Sequence, residues 1–357
     1  MKAKINKRFN IKHWKEGNDK EAVAYLGEEW WRHPDHIEIS MHEYIGKLTK
    51  HPLARGEDEE REMTPEEHHD FRSLLQKVRW PVARVVPQLA YSVSALAQKD
   101  PKGRRLLHLR VLNDIIDRLQ DYDKRGLATL RIRRVDIERL QVLTLMDASF
   151  AKEPGCKSQM GFMSMVTDMR VLMELAVCCL VEFQSSTITR VVGSTMAAES
   201  AAMSVALDRQ LYLRLLIEAI LYGEPPLQGD WRLALKVPGA LVTDAKSLYD
   251  HACKIGSMPV SRQTLIDLLV AKDLIEQEAI KFKWLPNSHM LADVLTKAVQ
   301  PNEVLLQFLR HGVFSMVPTA EQEDEEAHRL RLRRGQRERA KERKVQRRAA
   351  VPGPASP

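Results

Sequence analysis

The fold of this chain is decided by the stretch Gln141-Val142-Leu143-Thr144-Leu145-Met146-Asp147-Ala148-Ser149-Phe150-Ala151. Its first six residues are largely apolar or β-branched, which favours a β-strand that runs directly into Asp147. A single aspartate in such a position is most often a surface carboxylate or a helix cap. Asp147 alone therefore says little about function, and its neighbours in sequence have to supply the context.

Downstream of Asp147 the sequence alternates between strand and helix patterns. Strands are predicted at residues 161–166, 175–183, 239–243 and 280–285, and helices at 194–222, 262–278 and from about 290. The pair Pro225-Pro226 ends the long helix, because proline cannot continue the helical hydrogen-bond ladder. Strands first, followed by strands that alternate with helices, indicate a mixed sheet covered by helices, of the α/β (α+β mixed) class.

The part of the chain before residue 139 has a different pattern. Residues 1–62 contain two short strand patterns, at 22–26 and 36–40, and a short helix from His42. Residues 63–138 are predicted to be mainly helical. The sequence Thr64-Pro65-Glu66-Glu67 marks a helix start, because Thr64 can cap the helix and Glu67 occupies the capping-box position.

Positive charge is concentrated in the last part of the chain. Residues 328–348 contain eleven Lys and Arg and two acids, a local net charge of +9 in a chain of net charge +7, so the remainder carries −2. We expect residues 314–357 to be a charged, disordered tail. It fits a polyanion-binding arm in which Arg333, Arg334 and Arg337 contact nucleic acid, and equally a solvated helix or a nuclear-import signal.

Apolar runs and cysteines bear on the cellular compartment. The chain has no run of about 18 apolar residues, so no membrane span and no membrane partner is expected. The four cysteines have the spacing of neither a zinc site nor a disulfide framework. An intracellular location, cytoplasmic or nuclear, is therefore expected.

Four of the 48 acids stand out by their positions. Asp147 and Asp244 each follow an apolar strand pattern. Glu199 lies one turn into a predicted helix, and Asp293 lies at the start of another. Side chains at such positions can meet from distant parts of a chain. Carboxylates that meet repel one another unless divalent cations neutralise them, an arrangement suited to phosphodiester cleavage by two ions roughly 3.5–4 Å apart.

Five sequence blocks, in order, resemble the RNase H region of copia-type LTR retrotransposon polyproteins. They are Met146-Asp147-Ala148-Ser149-Phe150-Ala151, Cys156-Lys157-Ser158-Gln159-Met160-Gly161, Ser194-Thr195-Met196-Ala197-Ala198-Glu199, Val242-Thr243-Asp244-Ala245-Lys246-Ser247-Leu248 and Ala292-Asp293-Val294-Leu295-Thr296-Lys297. The blocks span about 150 residues. Five ordered blocks are far more specific than any single motif.

The resemblance implies an RNase H-like, mixed five-stranded sheet flanked by helices at residues 139–313. It also implies that Asp147, Glu199, Asp244 and Asp293 are catalytic and bind two Mg²⁺ ions, with Mn²⁺ as the alternative ion. The implied reaction is hydrolysis of the RNA strand of an RNA–DNA hybrid, with the 2′-hydroxyl marking the RNA. The alternative is a catalytically inactive retrotransposon remnant that at most binds nucleic acid.

Weaker similarity extends upstream. Residues 66–75 and 84–91 resemble the segment that follows the palm of reverse transcriptase, and residues 25–27 with 37–45 resemble the end of the palm. We therefore expect residues 1–62 to be a palm remnant and 63–138 a thumb or connection segment, with the rest of a Pol polyprotein as a potential partner. The Tyr-x-Asp-Asp motif that holds polymerase metals does not occur in the chain, so no nucleotide incorporation on a primed template is expected.

A few further residues each have two interpretations. His289 lies four residues before Asp293 and fits a role in proton transfer or product release, although a solvent-exposed loop histidine is the commoner case. Lys157, Arg190 and Lys246 lie near the acids in sequence. They fit contacts with phosphates, or they are ordinary surface cations.

Overall fold

The computed structural model describes residues 17–54, 56–99, 101–223, 229–253 and 261–317. These ranges contain one sheet of four strands and one of six, with helices packed around them. Of the predicted tail 314–357, residues 318–357, including Arg333, Arg334 and Arg337, lie outside the described residues, whereas Phe314 is buried in a strand of the larger sheet and does not belong to a disordered tail. No helix within the described ranges is both long enough and apolar enough to cross a membrane.

The smaller sheet is antiparallel throughout. Its strands, in order, are β1 (Val23–Tyr25), β2 (Glu28–Arg32), β3 (His36–Ser40) and β4 (Thr129–Arg133). Two of them, β2 and β4, were not predicted from the sequence. The last strand pairs with β3, which comes much earlier in the chain. The predicted segments 1–62 and 63–138 therefore share this sheet.

Helices occupy most of the chain between β3 and β4. They are α1 (His42–Gly46), α2 (Pro65–Val85), α3 (Ala90–Ala97) and α4 (Leu106–Lys124). The predicted capping box at the start of α2 is present. The Glu67 N–H donates to Thr64 Oγ1 at 3.2 Å, and the Thr64 N–H donates to Glu67 Oε2 at 2.8 Å. Two of the orphan donors of the first helical turn are thereby satisfied.

The larger sheet is mixed. Its strands are β5 (Leu140–Glu153), β6 (Lys157–Asp168), β7 (Ala176–Thr187), β8 (Gly239–Thr243), β9 (Lys281–Trp284) and β10 (Val313–Phe314), in the order β10-β7-β6-β5-β8-β9. The β5–β8 and β8–β9 pairs are parallel, and the others are antiparallel. The predicted mixed α/β class with five main strands is confirmed, and the two-residue β10 extends one edge.

Four helices accompany the larger sheet. They are α5 (Thr195–Tyr222), α6 (Lys246–Cys253), α7 (Arg262–Glu276) and α8 (Glu303–His311). The sequence predicted α5 and α7. The helix expected from about residue 290 is a short 3₁₀-helix, Leu291–Leu295. That difference matters for the site, because Asp293 lies in the middle of this 3₁₀-helix.

The two faces of the larger sheet are buried against different elements. On one face, Met146 and Leu241 pack with Met203 and Leu207 of α5. On the other face, Leu143 and Leu145 belong to a core shared with α2, α4 and the 3₁₀-helix Leu291–Leu295. Both sheets contribute to this second core. The alternation along β5 is therefore fixed by burial on both faces, which also fixes the direction of Asp147.

Candidate metal and active site

Two of the predicted acids lie on neighbouring parallel strands. In the parallel pairing of β5 with β8, Met146 lies opposite Thr243. Asp147 directly follows Met146, and Asp244 directly follows Thr243. Asp147 is almost fully buried, and Asp244 is partly exposed. Parallel register therefore places the two carboxylates side by side at one end of the sheet.

Glu199 reaches the same place from α5. Ser194 caps this helix, since its Oγ accepts the Ala197 N–H at 3.1 Å. The first turns of α5 are rich in buried alanines, and Ala198, Ala201 and Ala202 pack against Ala148 of β5. Small side chains on both sides let the helix approach the strand closely. One carboxylate oxygen each from Asp147, Glu199 and Asp244 consequently lies within 4.8 Å of the other two.

Asp293 joins this group through the close approach of its 3₁₀-helix to β6. Gly161 of β6 is opposite Asp147 in the strand register. A Cβ at Gly161 would lie 2.3 Å from the Cβ of Leu295, so only glycine leaves room for the 3₁₀-helix here. The resulting contact brings Asp293 to the same end of the sheet as Asp147. The structure thus assembles all four predicted acids, although Asp293 is tied to the others through bridging side chains.

The bridging residues were not assigned a role from the sequence. Asn287 Nδ2 donates to Asp244 Oδ2 at 2.9 Å and to Asp293 Oδ2 at 3.2 Å. Lys297 Nζ lies 2.6 Å from Asp293 Oδ1 and 3.1 Å from Asp147 Oδ2. A signal for Lys297 did exist, because it follows Asp293 by four residues in the same sequence block. Asn287 lies outside all five blocks, and no sequence pattern marked it.

Thr296, from the same block, completes the support of Asp147. Its hydroxyl donates to Asp147 Oδ2. The same oxygen accepts from Lys297, so one carboxylate oxygen of Asp147 has two partners within the protein. These contacts fix the orientation of a side chain that a metal ion would need in one position.

Burial and mutual repulsion shift the ionisation of the acids. Burial raises the pKa of Asp147 to about 6, with Lys297 opposing the rise and Asp293 adding to it. Burial also raises the pKa of Glu199 well above its usual value, and the Asp147 and Asp244 carboxylates raise it further. The pKa values of Asp244 and Asp293 are raised as well, again chiefly by burial. Each acid is therefore harder to ionise than it would be in water.

Lys297 is the counter-charge within this group. Burial would lower the pKa of its ammonium, but the Asp147 and Asp293 carboxylates raise it instead. One ammonium offsets one of four carboxylates. When all four acids are ionised, the site carries about three uncompensated negative charges in a largely buried place, which is expensive unless cations bind.

The residues fit a divalent metal, and the surroundings of one atom support this fit. Glu199 Oε2 is buried and has no hydrogen-bond partner among the described residues. A buried carboxylate oxygen without a donor is costly, so such atoms call for a specific explanation. Hard divalent cations take oxygen ligands, and Asp147, Glu199 and Asp244 offer three of them within ligand-sharing distance.

His289 is placed differently from the commoner expectation. Only 3% of its surface is exposed, so the expectation of a solvent-exposed loop histidine is wrong. It ends a 3₁₀-helix, Asn287–His289, that begins at the residue bridging Asp244 and Asp293. The buried imidazole is thus held close in sequence to a site residue, and a role in proton transfer stays a prediction.

The three predicted phosphate contacts have different surroundings. Lys157 is exposed at the start of β6. Lys246 lies two residues after Asp244 and begins α6. Its ammonium is 4.7 Å from the centre of the Tyr249 ring. Arg190 instead forms a two-pronged ion pair with the buried Asp267 of α7. This ion pair favours a structural role for Arg190, because breaking it would leave a buried carboxylate without a partner.

Comparison with known proteins gives only distant similarity. The sequence matches no protein-family model and no curated protein at a significant level. RNase H1 from the halophilic archaeon Halobacterium salinarum is 17% identical with a TM-score of 0.27, and the match covers 44% of this chain and 94% of that one. LC11-RNase H1, solved with an RNA/DNA hybrid, is 16% identical with a TM-score of 0.29, over 44% and 94% of the two chains.

A longer match is with a viral polymerase structure. The foamy viral protease-reverse transcriptase dRH, solved with double-stranded DNA, is 14% identical with a TM-score of 0.40. That match covers 79% of this chain and 38% of the viral protein. Similarities this distant carry no argument about function, which therefore has to rest on the carboxylate geometry described above.

Proposed function

We propose that residues 139–313 form an RNase H-type endonuclease that hydrolyses the RNA strand of RNA–DNA hybrids with Mg²⁺. The observation that carries this proposal is the meeting of Asp147, Glu199 and Asp244 within 4.8 Å, from three separate elements of the fold. Asp293 is joined to them through Asn287. The proposal includes an origin in a retroelement Pol polyprotein, of copia type by the sequence blocks.

In this proposal the four acids hold two divalent ions, Mg²⁺ or Mn²⁺. When bound, such ions supply a nucleophilic water at neutral pH and stabilise charge on the leaving oxygen. The protein's own task is to hold the carboxylates in place. Thr296 orients Asp147 by a hydrogen bond, and Asn287 holds Asp244 and Asp293 at a fixed separation.

In this proposal Lys297 stabilises the ionised carboxylates. Its ammonium sits between Asp147 and Asp293, where it stabilises the ionised forms that bind cations. Burial and the neighbouring carboxylates raise the pKa of Glu199 well above its usual value, so a bound cation would favour the ionised form of the whole group.

Two exposed lysines extend the proposed substrate surface. Lys246 lies beside the site through its proximity to Asp244 in the chain, and its ammonium is 5.8 Å from the ring of Trp284. Trp284 in turn donates its indole N–H to the Asp244 carbonyl at 3.0 Å. Lys157 is the first residue of β6, four residues before Gly161, which lies opposite Asp147. Both lysines fit contacts with phosphates, which position a duplex without reading its sequence.

The test is cleavage of an end-labelled RNA–DNA hybrid by the full chain in Mg²⁺. We expect RNA-strand products that EDTA abolishes and that Asp147→Asn and Asp244→Asn lose. The matched control is Asp121→Asn, which alters an exposed carboxylate of α4 that pairs with Arg125. This variant should cleave like wild type. Double-stranded DNA should not be cleaved, because it lacks the 2′-hydroxyl.

The opposite result would favour the inactive remnant. That outcome is hybrid binding without cleavage in Mg²⁺ or Mn²⁺, with binding lost when residues 321–357 are removed. Cleavage at equal, EDTA-insensitive rates by wild type and Asp244→Asn would also overturn the proposal, because it would place the activity outside these acids.

A further inference from the structure

The turn between β2 and β3 gathers a second group of metal-binding side chains, on the smaller sheet. His33, His36 and Glu38 each offer one ligand atom within 4.8 Å of the other two. All three are partly exposed, so an ion can reach them from solvent. We refer to these three residues as the hairpin cluster. It shares no residue with the carboxylate site.

The backbone of the turn holds the cluster in place. The His33 N–H donates to the His36 carbonyl at 2.9 Å, which closes the turn. Pro34 lies between the two histidines, and its ring restricts the turn further. The two imidazoles stack with centroids 4.5 Å apart and an angle of 22° between their planes. Ligands that are already neighbours lose little conformational freedom when an ion binds.

A hydrogen bond from His36 to Asp35 orients the imidazole for metal binding. Asp35 Oδ1 lies 2.8 Å from His36 Nδ1. Because an ionised carboxylate only accepts, Nδ1 donates to Asp35, which leaves Nε2 as the ring atom that can bind an ion. Nε2 lies 3.8 Å from Glu38 Oε2, within the cluster. A carboxylate behind a metal-binding histidine is the usual second contact that fixes the tautomer and raises ligand basicity.

Neighbouring arginines compete with an ion but do not exclude it. Arg131 Nη2 lies 3.4 Å from Glu38 Oε2, and Arg133 Nη1 lies 3.8 Å from Asp35 Oδ2. Arg131 also donates through Nη1 to the carbonyls of Leu309 and Arg310, both at 3.1 Å. Its side chain therefore stays anchored if Glu38 turns toward an ion. Arg32 and Arg134 line the same cavity as His33 and His36, so positive charge nearby weakens cation binding, and the Asp35 and Glu38 carboxylates offset part of it.

From this geometry we propose that His33, His36 and Glu38 bind one Zn²⁺ ion, with water completing the coordination. Two imidazoles and one carboxylate are a zinc-type donor set, whereas Mg²⁺ prefers oxygen ligands alone. The ion would join β2 to β3 and so stabilise the smaller sheet. This site is independent of the nuclease proposed for the larger sheet.

The test is Zn²⁺ binding by calorimetry, in Mg²⁺ that saturates the carboxylate site. We expect the double variant His33→Ala/His36→Ala to bind one Zn²⁺ fewer per chain than wild type. Asp35→Asn should leave the number of ions unchanged and weaken the affinity about ten- to a hundredfold. The control is His69→Ala, which alters an exposed histidine of α2 and should bind like wild type.

A second measurement keeps the result decisive. Co²⁺ in place of Zn²⁺ should give the visible absorption of a tetrahedral site in wild type and in His69→Ala, and Glu38→Gln should lose most of it. Zn²⁺ should also raise the melting temperature of wild type but not of the double variant, because it binds the folded state. Equal Zn²⁺ stoichiometry in wild type and the double variant would overturn the proposal, as would complete displacement of Zn²⁺ by Mg²⁺.

Discussion

The two ends of α5 bury polar groups in opposite ways. Near its start, Glu199 faces other acids, and one of its oxygens has no hydrogen-bond partner among the described residues. Near its end, Arg214 is equally buried, yet its Nε donates to the Val237 carbonyl at 2.7 Å and its Nη1 to the Ala279 carbonyl at 2.9 Å. One helix thus carries a buried charge that lacks partners and a buried charge whose partners are built into the fold.

The difference distinguishes the proposed metal site from a structural one. Around Arg214 the chain is shaped to satisfy the charge, and even Gly239 contributes, since a Cβ there would lie 3.1 Å from Arg214 Cδ. Around Glu199 the chain gathers like charges, which destabilise the fold unless something else binds. Buried charges are informative when the contacts that would satisfy them are missing, because evolution of a stable fold alone would supply those contacts.

The largest expected effect is on catalysis at the unsatisfied end. Glu199→Gln keeps the shape of the side chain but removes a charge that we propose binds metal. We expect the single-turnover rate of hybrid cleavage in Mg²⁺ to fall on the order of a thousandfold, about 4 kcal/mol of barrier. Asp208→Asn, an exposed acid on the same helix, is the matched control and should keep the wild-type rate. Retention of more than about a tenth of the rate by Glu199→Gln would remove Glu199 from the site.

The next effect is on stability at the satisfied end. Arg214→Met removes the donor of three backbone carbonyls and leaves Glu218 buried beside it, so we expect the free energy of unfolding to fall by about 3 kcal/mol in urea titrations. The cleavage rate per folded molecule should stay within about twofold of wild type, because the Arg214 guanidinium donates to backbone carbonyls of Val237, Ala279 and Leu235 and not to the four acids. Arg209→Met, whose side chain is 48% exposed and pairs with Glu182, serves as the control.

An Arg214→Met protein that keeps its stability and loses cleavage would contradict this contrast, since it would make Arg214 part of the catalytic arrangement. Unchanged stability of Arg214→Met together with strong destabilisation by Arg209→Met would contradict it in another way. That result would mean that an exposed ion pair contributes more to the stability of this protein than a buried, hydrogen-bonded charge does.

The smallest expected effect is the pH dependence of stability without divalent ions. The folded-state pKa of Asp147 is about 6, above the ordinary value of 3.8 that applies to the unfolded chain. Between pH 3.8 and about pH 6, Asp147 is largely protonated in the folded protein and largely ionised in the unfolded chain. Stability from this group is therefore present at low pH and is lost as pH rises through about 6. In EDTA, unfolding free energy should fall by on the order of 1 to 2 kcal/mol between pH 5 and pH 7.

Two comparisons isolate this effect from other titrating groups. Asp147→Asn should flatten the pH dependence in EDTA, since it cannot take up the proton. Added Mg²⁺ should raise the melting temperature more at pH 7 than at pH 5, because protons compete with the ion for the same oxygens. A larger Mg²⁺ effect at pH 5 than at pH 7 would contradict the raised pKa values.

Much of the larger sheet could be predicted, because its strands are signalled locally. The apolar run before Asp147 and the shorter run before Asp244 both form strands, as predicted; β8 ends just before Asp244, whereas β5 continues past Asp147 to Glu153. The four acids could be named from ordered sequence blocks. Their convergence could not be deduced from composition, because it depends on the parallel register of β5 and β8 and on Gly161 leaving room for the 3₁₀-helix.

The features that were missed depend on contacts between distant residues. The strand β4 has the sequence Thr129-Leu130-Arg131-Ile132-Arg133, which is short and follows a long helix, and its strand character comes from pairing with β3. The bridge formed by Asn287 needs two acids that are 49 residues apart in sequence to be brought together first. The partner of Arg190 was equally hidden, because Asp267 lies on a helix far along the chain.

The pairing of β3 with β4 also affects the order in which the chain can fold. About 90 residues separate the two strands, so β1 to β3 are synthesised long before the strand that completes their sheet. Contacts between residues so far apart in sequence form slowly, because a long loop must close before they are gained. Until then β3 has an open edge, which can pair with another nascent chain. For this molecule, the period between synthesis of β3 and of β4 is therefore the stage at which a chaperone would matter most.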